Sequence, residues 1–313
     1  MAGDCGDFIS QFATINTDAP WLFHLADLHR SFADAAAQAS DDERLTLAGA
    51  LYEWLNAYFA KNAITLYGHA VSGCSVNHNA KQRLTFTHQN DLPHGVAYEK
   101  FIGEHQQIPT RNNLHDWFGA CIWAKFPKSK AVLNAKHITH LHDDDSGNKR
   151  NRVRDTITVF DENGAVVVVA DDDVGKAIAD GLRRFDWQTC LVQHRAQWAD
   201  FSTPNPKAQA FIFGHALLEQ LVHPRKSLCS HTLIISMPQE FFAAPLPVQL
   251  AMLDDALAAQ LQQLLQDGVT PRELHPLPIL GVPYFWDNAD PQFYADTSVF
   301  RAGRRQDKQD KSV

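Results

Sequence analysis

Two β-branched runs, TITVF at 156–160 and AVVVVA at 165–170, flank Asp161-Glu162-Asn163-Gly164. An Asn-Gly pair between such runs is the strongest short-range hairpin signal, because a type I′ turn needs positive φ at both central positions. The pattern predicts a β-hairpin over about 154–170 within a mixed sheet. Residues 83–87, 189–193 and 232–236 (TLIIS) read as further strands.

Helical spacing accounts for much of the rest. Leu25, Leu28, Phe32 and Ala35, then Leu47, Leu51, Trp54, Leu55 and Tyr58, recur three and four residues apart, and Ser40–Glu43 has the form of a capping box. Asn113 is a good N-cap for a helix over 114–126, with Asp116 at N3 favouring the dipole and Pro127 limiting its length. Helices are also expected at 129–137, 173–185, 207–222 and 247–266. Strands and helices mix without the alternation of a doubly wound sheet, so the expected class is α+β. The organisation expected is a helical N-terminal layer at 1–70 and an α+β core at 71–301. That core closes with a proline- and aromatic-rich arm, too irregular for a regular element, and a disordered charged tail follows at 302–313.

Hydrophobic residues make up 45% of the 313, enough for a sizeable core. The formal charge of −8 disfavours broad nucleic-acid binding. Five cysteines lie far apart with no CxxC spacing, which argues against a zinc knuckle or disulfide framework and suits a reducing compartment. The first residues carry two acids and no basic region, and no run of 18 apolar residues occurs, so no signal peptide or membrane span is expected. The expected location is the cytoplasm.

Polar chemistry concentrates in a few places. Arg111, Asn112, Asn113, His115 and Asp116 fall within six positions. His115-Asp116 is a metal-site dyad if other helices supply partners, or a helix cap and a backbone-bonded imidazole. Arg111 either holds an anion bidentately or pairs with Asp116. Gly119 costs its helix about 1 kcal/mol against alanine, which a close backbone or ligand approach would offset. His215, Glu219 and His223 fall at i, i+4 and i+8, a spacing that suits metal chelation and equally an ordinary ion pair. Strand alternation would put Asp155 on the buried face, opposite Arg154, where an acid needs a partner. Asp161 and Glu162 read as turn residues, Cys121 as core, and His137, His140 and His142 as a solvated loop or a surface metal site. No GxGxxG, GxxxxGK[ST] or GxSxG is present.

Several segments together resemble a bacterial family, domain-of-unknown-function family 3025: GVAYEKFI at 95–102, PTRNNLHDWF at 109–118, FPKSKAVLNAKH at 126–137, RDTITVFDENGAVV at 154–167, FGHALLE at 213–219, and LPILGVP through DPQFYADTSVFR. The resemblance spans roughly 84–301 and implies no activity. The family pattern has asparagine where this chain has Gly119. The matching segments carry Glu99, Arg111, His115, Asp116, Arg154, Asp155, His215 and Glu219, which favours a shared polar site.

The leading expectation is a cleft in which His215, Glu219 and His115 bind a divalent metal ion. His115, Asp116 and Asp155 would act as acid–base groups, and Arg111 and Arg154 would hold a small anionic substrate for hydrolytic or phosphoryl chemistry. Two rivals remain. One is an adaptor protein whose charges form a structural ion network. The other is a nucleic-acid-processing factor using the basic residues at 149–152 and 301–305.

Overall fold

The computed structural model describes residues 5–40, 47, 49–72, 75–141, 151–200 and 202–303. Most of the capping box at 40–43, the loop with His142 and the tail lie outside the described residues. The fold is α+β, with two mixed sheets and helices against them.

Helices α1 (Cys5–Phe12), α2 (Ala26–Gln38) and α3 (Leu51–Lys61) bury Phe8, Phe12, Leu28, Phe32, Leu51, Leu55 and Phe59. Phe12, Phe32 and Trp54 surround Trp117 with ring centroids 5.2, 4.9 and 5.8 Å away. The N-terminal helices thus pack directly on the segment that carries His115.

Strand β1 (Leu66–Ser72) pairs antiparallel with β2 (Ser75–His88). Helix α4 (Tyr98–His105) then leads to β3 (Gln107–Thr110), parallel to β2. Next comes α5 (Leu114–Lys125), whose Asp116 amide is accepted by the Asn113 side chain at 2.8 Å. Pro127 ends α5 by opening α6 (Pro127–Thr139) at N1, where no amide hydrogen is needed.

The expected hairpin at 154–170 is not formed. Residues Arg152–Asn163 are helix α7, and Gly164–Ala170 are strand β4. Asn151 caps α7 by accepting from the amides of Val153 and Arg154 (2.9 and 3.3 Å). Val153, Thr156, Ile157 and Phe160 are its buried residues, at i, i+3, i+4 and i+7. β-Branched residues cost a helix well under about 1 kcal/mol each, so one buried apolar stripe outweighs them. Gly164 is no turn residue, since its φ is −77°. Its missing side chain matters for another reason: a Cβ there would lie 2.2 Å from the Phe160 carbonyl oxygen.

Strand β4 is buried along its whole length. The chain continues through α8 (Asp173–Arg184) to β5 (Ala208–Ile212), α9 (His215–Gln220) and β6 (Cys229–Met237). After α10 (Gln239–Ala243) and α11 (Leu246–Leu264) comes β7 (His275–Pro278), giving the sheet order β5-β4-β6-β7. β4 runs parallel to β6 and antiparallel to β5. The helix expected over 207–222 is therefore a strand followed by a short helix, because AQAFI gains a fully apolar neighbour in β4. Residues Gln188–Gln193 form a π-helical turn, not a strand. The C-terminal arm does contain a regular element, β7, and is pinned by buried Asn288, which donates to the Leu280 and Val282 carbonyls at 2.7 and 2.8 Å. Among the described residues no helix is long and apolar enough to cross a membrane.

A candidate metal centre between three helices

The start of α5, the end of α7 and the start of α9 meet at one point. Their approach depends on absent side chains: a Cβ at Gly214 would lie 2.4 Å from the Gly164 amide nitrogen and 2.5 Å from the Glu162 carbonyl oxygen. Only glycine lets α9 begin against the last turn of α7. His215 follows Gly214 at once and so faces Asp161 and Glu162.

The Nε2 atoms of His115 and His215 are 3.1 Å apart, with the rings edge-on at 77° and centroids at 4.4 Å. Glu162 Oε2 lies 3.5 Å from His215 Nε2 and 4.0 Å from His115 Nε2. Ligand atoms around a tetrahedral ion with bonds near 2.0–2.1 Å sit roughly 3.3 Å from one another, so this triangle has the size of a three-ligand face. Among the described residues this is the one group of three such side chains close enough to share an ion.

The outer imidazole nitrogens face carboxylates. His115 Nδ1 is 3.1 Å from Glu219 Oε2, and His215 Nδ1 is 4.0 Å from Asp161 Oδ2. A proton on His115 Nδ1, donated to Glu219, leaves the Nε2 lone pair facing inward. Burial holds His215 down at about 4, with Lys130 and His115 adding to the effect against Asp161, so its ring is neutral and able to ligate at neutral pH. Burial alone would raise the Asp161 carboxyl. Lys130, at 2.6 and 2.8 Å, and His215 more than offset this and hold it below the usual range. Burial raises Glu162, a carboxylate with no lysine or arginine bonded to it among the described residues.

His115, Lys130, Asp161, Glu162 and His215 border a cavity of about 350 Å³ whose wall also includes Phe86, Tyr98, Glu99, Arg111, Gly119 and Trp123. Arg111 and Asp116 form a fork at the wall, Nη2 to Oδ1 at 2.8 Å and Nε to Oδ2 at 3.1 Å, while the Arg111 amide donates to Oδ2 at 2.6 Å. No backbone crowds Gly119: a Cβ there would meet nothing within 4 Å, and the open space is the cavity itself.

Of the residues singled out in the sequence, His115, His215 and Glu219 come together. Glu219 bonds the outer nitrogen of His115. Asp116 and Arg111 line the cavity as a pair. Arg154 and Asp155 do not line it; they lie two turns, roughly 10 Å, back along α7 and on a helix, which removes the strand-alternation argument for Asp155. His223 follows the end of α9, so no continuous helical stripe joins it to His215. The Cys121 thiol is buried, and burial pushes it well above its ordinary range. Sequence reasoning missed Glu162, Asp161, Lys130 and Tyr98. The hairpin pattern assigns the first two to a turn, whereas the structure places them in the last turn of α7.

No curated protein and no solved structure matches the chain. Residues 84–304, more than half of the sequence, match the family described as protein of unknown function (DUF3025), and every cavity residue named above falls within that span. The chain belongs to the DUF3025 family.

Proposed function

We propose that the protein is a metal-dependent hydrolase of small molecules, with a divalent ion held by His115, His215 and Glu162. The observation that carries this reading is the convergence of two inward imidazole nitrogens and one carboxylate oxygen at ligand-face distances, from three separate helices. Two histidines and a glutamate, with the fourth position left open, form a known catalytic zinc ligand set. A divalent ion bound there supplies Lewis acidity and a water of lowered pKa.

The chain's own groups complete the site. Glu219 fixes the tautomer and direction of His115. Tyr98 lines the cavity, and its hydroxyl, raised well above the usual phenol range by burial and by Glu99, Asp116 and Asp161, stays protonated as a donor to a developing oxyanion. The Arg111 edge not used by Asp116 is available to an anionic substrate group. A structural ion network would pair Glu162 with a lysine or arginine, and none is bonded to it among the described residues, which favours the catalytic reading over an adaptor. The free thiols of Cys121, Cys190 and Cys229 suit a cytoplasmic protein.

The test is elemental analysis of protein purified without chelators, then hydrolysis assays on small amides, esters and phosphate esters before and after chelation. One equivalent of metal and a chelator-sensitive, zinc-restored activity are expected. Metal-free protein that takes up no ion would end this reading.

A further inference from the structure

We infer that the substrate of this cavity is a small zwitterion of the dipeptide class, its ammonium group at Glu99 and its carboxylate at Arg111; the inference rests on the hydrolytic reading above. Four carboxylates line the cavity. Asp116 is bonded by one edge of Arg111, Asp161 by Lys130, and Glu162 belongs to the metal face. Glu99 is left over. Its Oε2 accepts from Asn134 Nδ2 at 2.6 Å, and the same amide group donates to the Glu99 carbonyl oxygen at 2.8 Å. That amide aims the carboxylate without neutralising it, and among the described residues no cation pairs with Glu99. An oriented, uncompensated carboxylate in a small cavity is suited to a protonated amine.

Arg111 is its counterpart. Asp116 takes two of the five guanidinium N–H groups and holds the plane fixed, leaving the Nη1 edge for a carboxylate. The cavity, about 350 Å³, is at the small end of small-molecule sites, and Phe86, Leu92, Ile108 and Trp123 add an apolar wall for side chains. In the reaction, water oxygen bonds to the amide carbonyl carbon and the C–N bond breaks. The electron pair leaves on nitrogen, which takes a proton from that water, and two amino acids result.

The experiment titrates full-length protein, zinc-loaded and zinc-free, with the uncleavable ketomethylene isostere of alanyl-leucine, its N-acetyl derivative and its C-terminal amide. The parent should bind at least about tenfold tighter than either capped form, the worth of one charge-assisted hydrogen bond. Glu99→Gln should abolish discrimination against the acetyl form only, and Arg111→Gln discrimination against the amide only, with zinc content unchanged in both. Equal binding of all three compounds to the native protein overturns the inference, whatever the zinc result. If zinc does not bind, the metal reading falls alone, because the preference measured in zinc-free protein still decides the substrate class.

Discussion

His115 and His215, one hundred residues apart, direct their Nε2 atoms at each other across 3.1 Å, and the outer nitrogen of His115 meets Glu219 at 3.1 Å. In the proposed centre, Glu219 orients His115 and is not itself one of the three ligands. Glu219→Gln should therefore weaken zinc binding roughly 10–100-fold without abolishing it, the usual effect of losing an outer carboxylate. Competition titration against a chelator of known affinity checks this; unchanged affinity would remove Glu219 from the centre.

Two glycines should respond in opposite directions. Gly214→Ala places a Cβ 2.4 Å from a backbone nitrogen and pushes α9 off α7, so it should destabilise by roughly 2–4 kcal/mol and cost zinc affinity. Gly119→Ala enters open space, so it should stabilise α5 by about 1 kcal/mol and leave zinc bound while narrowing the cavity. Urea denaturation with parallel zinc titration separates the two.

Asp254 on α11 closes the start of α6 from outside it. Its carboxylate accepts from the Lys128 and Ser129 amides, each at 2.9 Å, and from Ser129 Oγ at 2.7 Å, while only 3% exposed. Asp254→Ala strands buried donors and should cost roughly 3 kcal/mol; Asp254→Asn, keeping one acceptor oxygen, should cost less. Denaturation midpoints of the two variants test the order.

Acid should weaken the N-terminal packing. Burial lowers His24 to about 3 and His29 to about 4, against 6.5 for an ordinary histidine. The folded state keeps both rings neutral while the unfolded chain takes up protons below 6.5. Their contribution is complete above that pH and is lost as pH falls through it toward 4 and 3. The slope should approach about 1.4 kcal/mol per pH unit for each histidine. Thermal melts from pH 7 to pH 5 should show the loss, and His29→Gln should reduce the slope by up to about 1.4 kcal/mol per pH unit while His24 and His215 retain theirs.

Much of this was legible locally. Asn113 and Asp116 mark the start of α5, and of the periodic residues Leu28 and Phe32 in α2 and Leu51 and Leu55 in α3 are buried. The α+β class followed from mixed signals and holds. What escaped was decided by distant neighbours. Residues 156–160 carry strand-like chemistry and a helical stripe at once, and the stripe prevails because Phe160 packs on Phe213 at 4.9 Å. A strand reading there hides Glu162, since a turn carboxylate and a carboxylate on the last helical turn look alike in sequence. Likewise Glu219 has suitable spacing from His215, yet its partner is His115, on another helix.

The most direct measurement is a calorimetric zinc titration of native protein beside His115→Ala, His215→Ala and Glu162→Gln, with circular dichroism to verify folding. One tight equivalent in the native protein, and at least about tenfold weaker binding in each folded variant, is the outcome expected when these side chains are ligands. Native protein that binds no zinc, or variants that bind it as tightly as the native chain, would contradict a metal centre at these three residues.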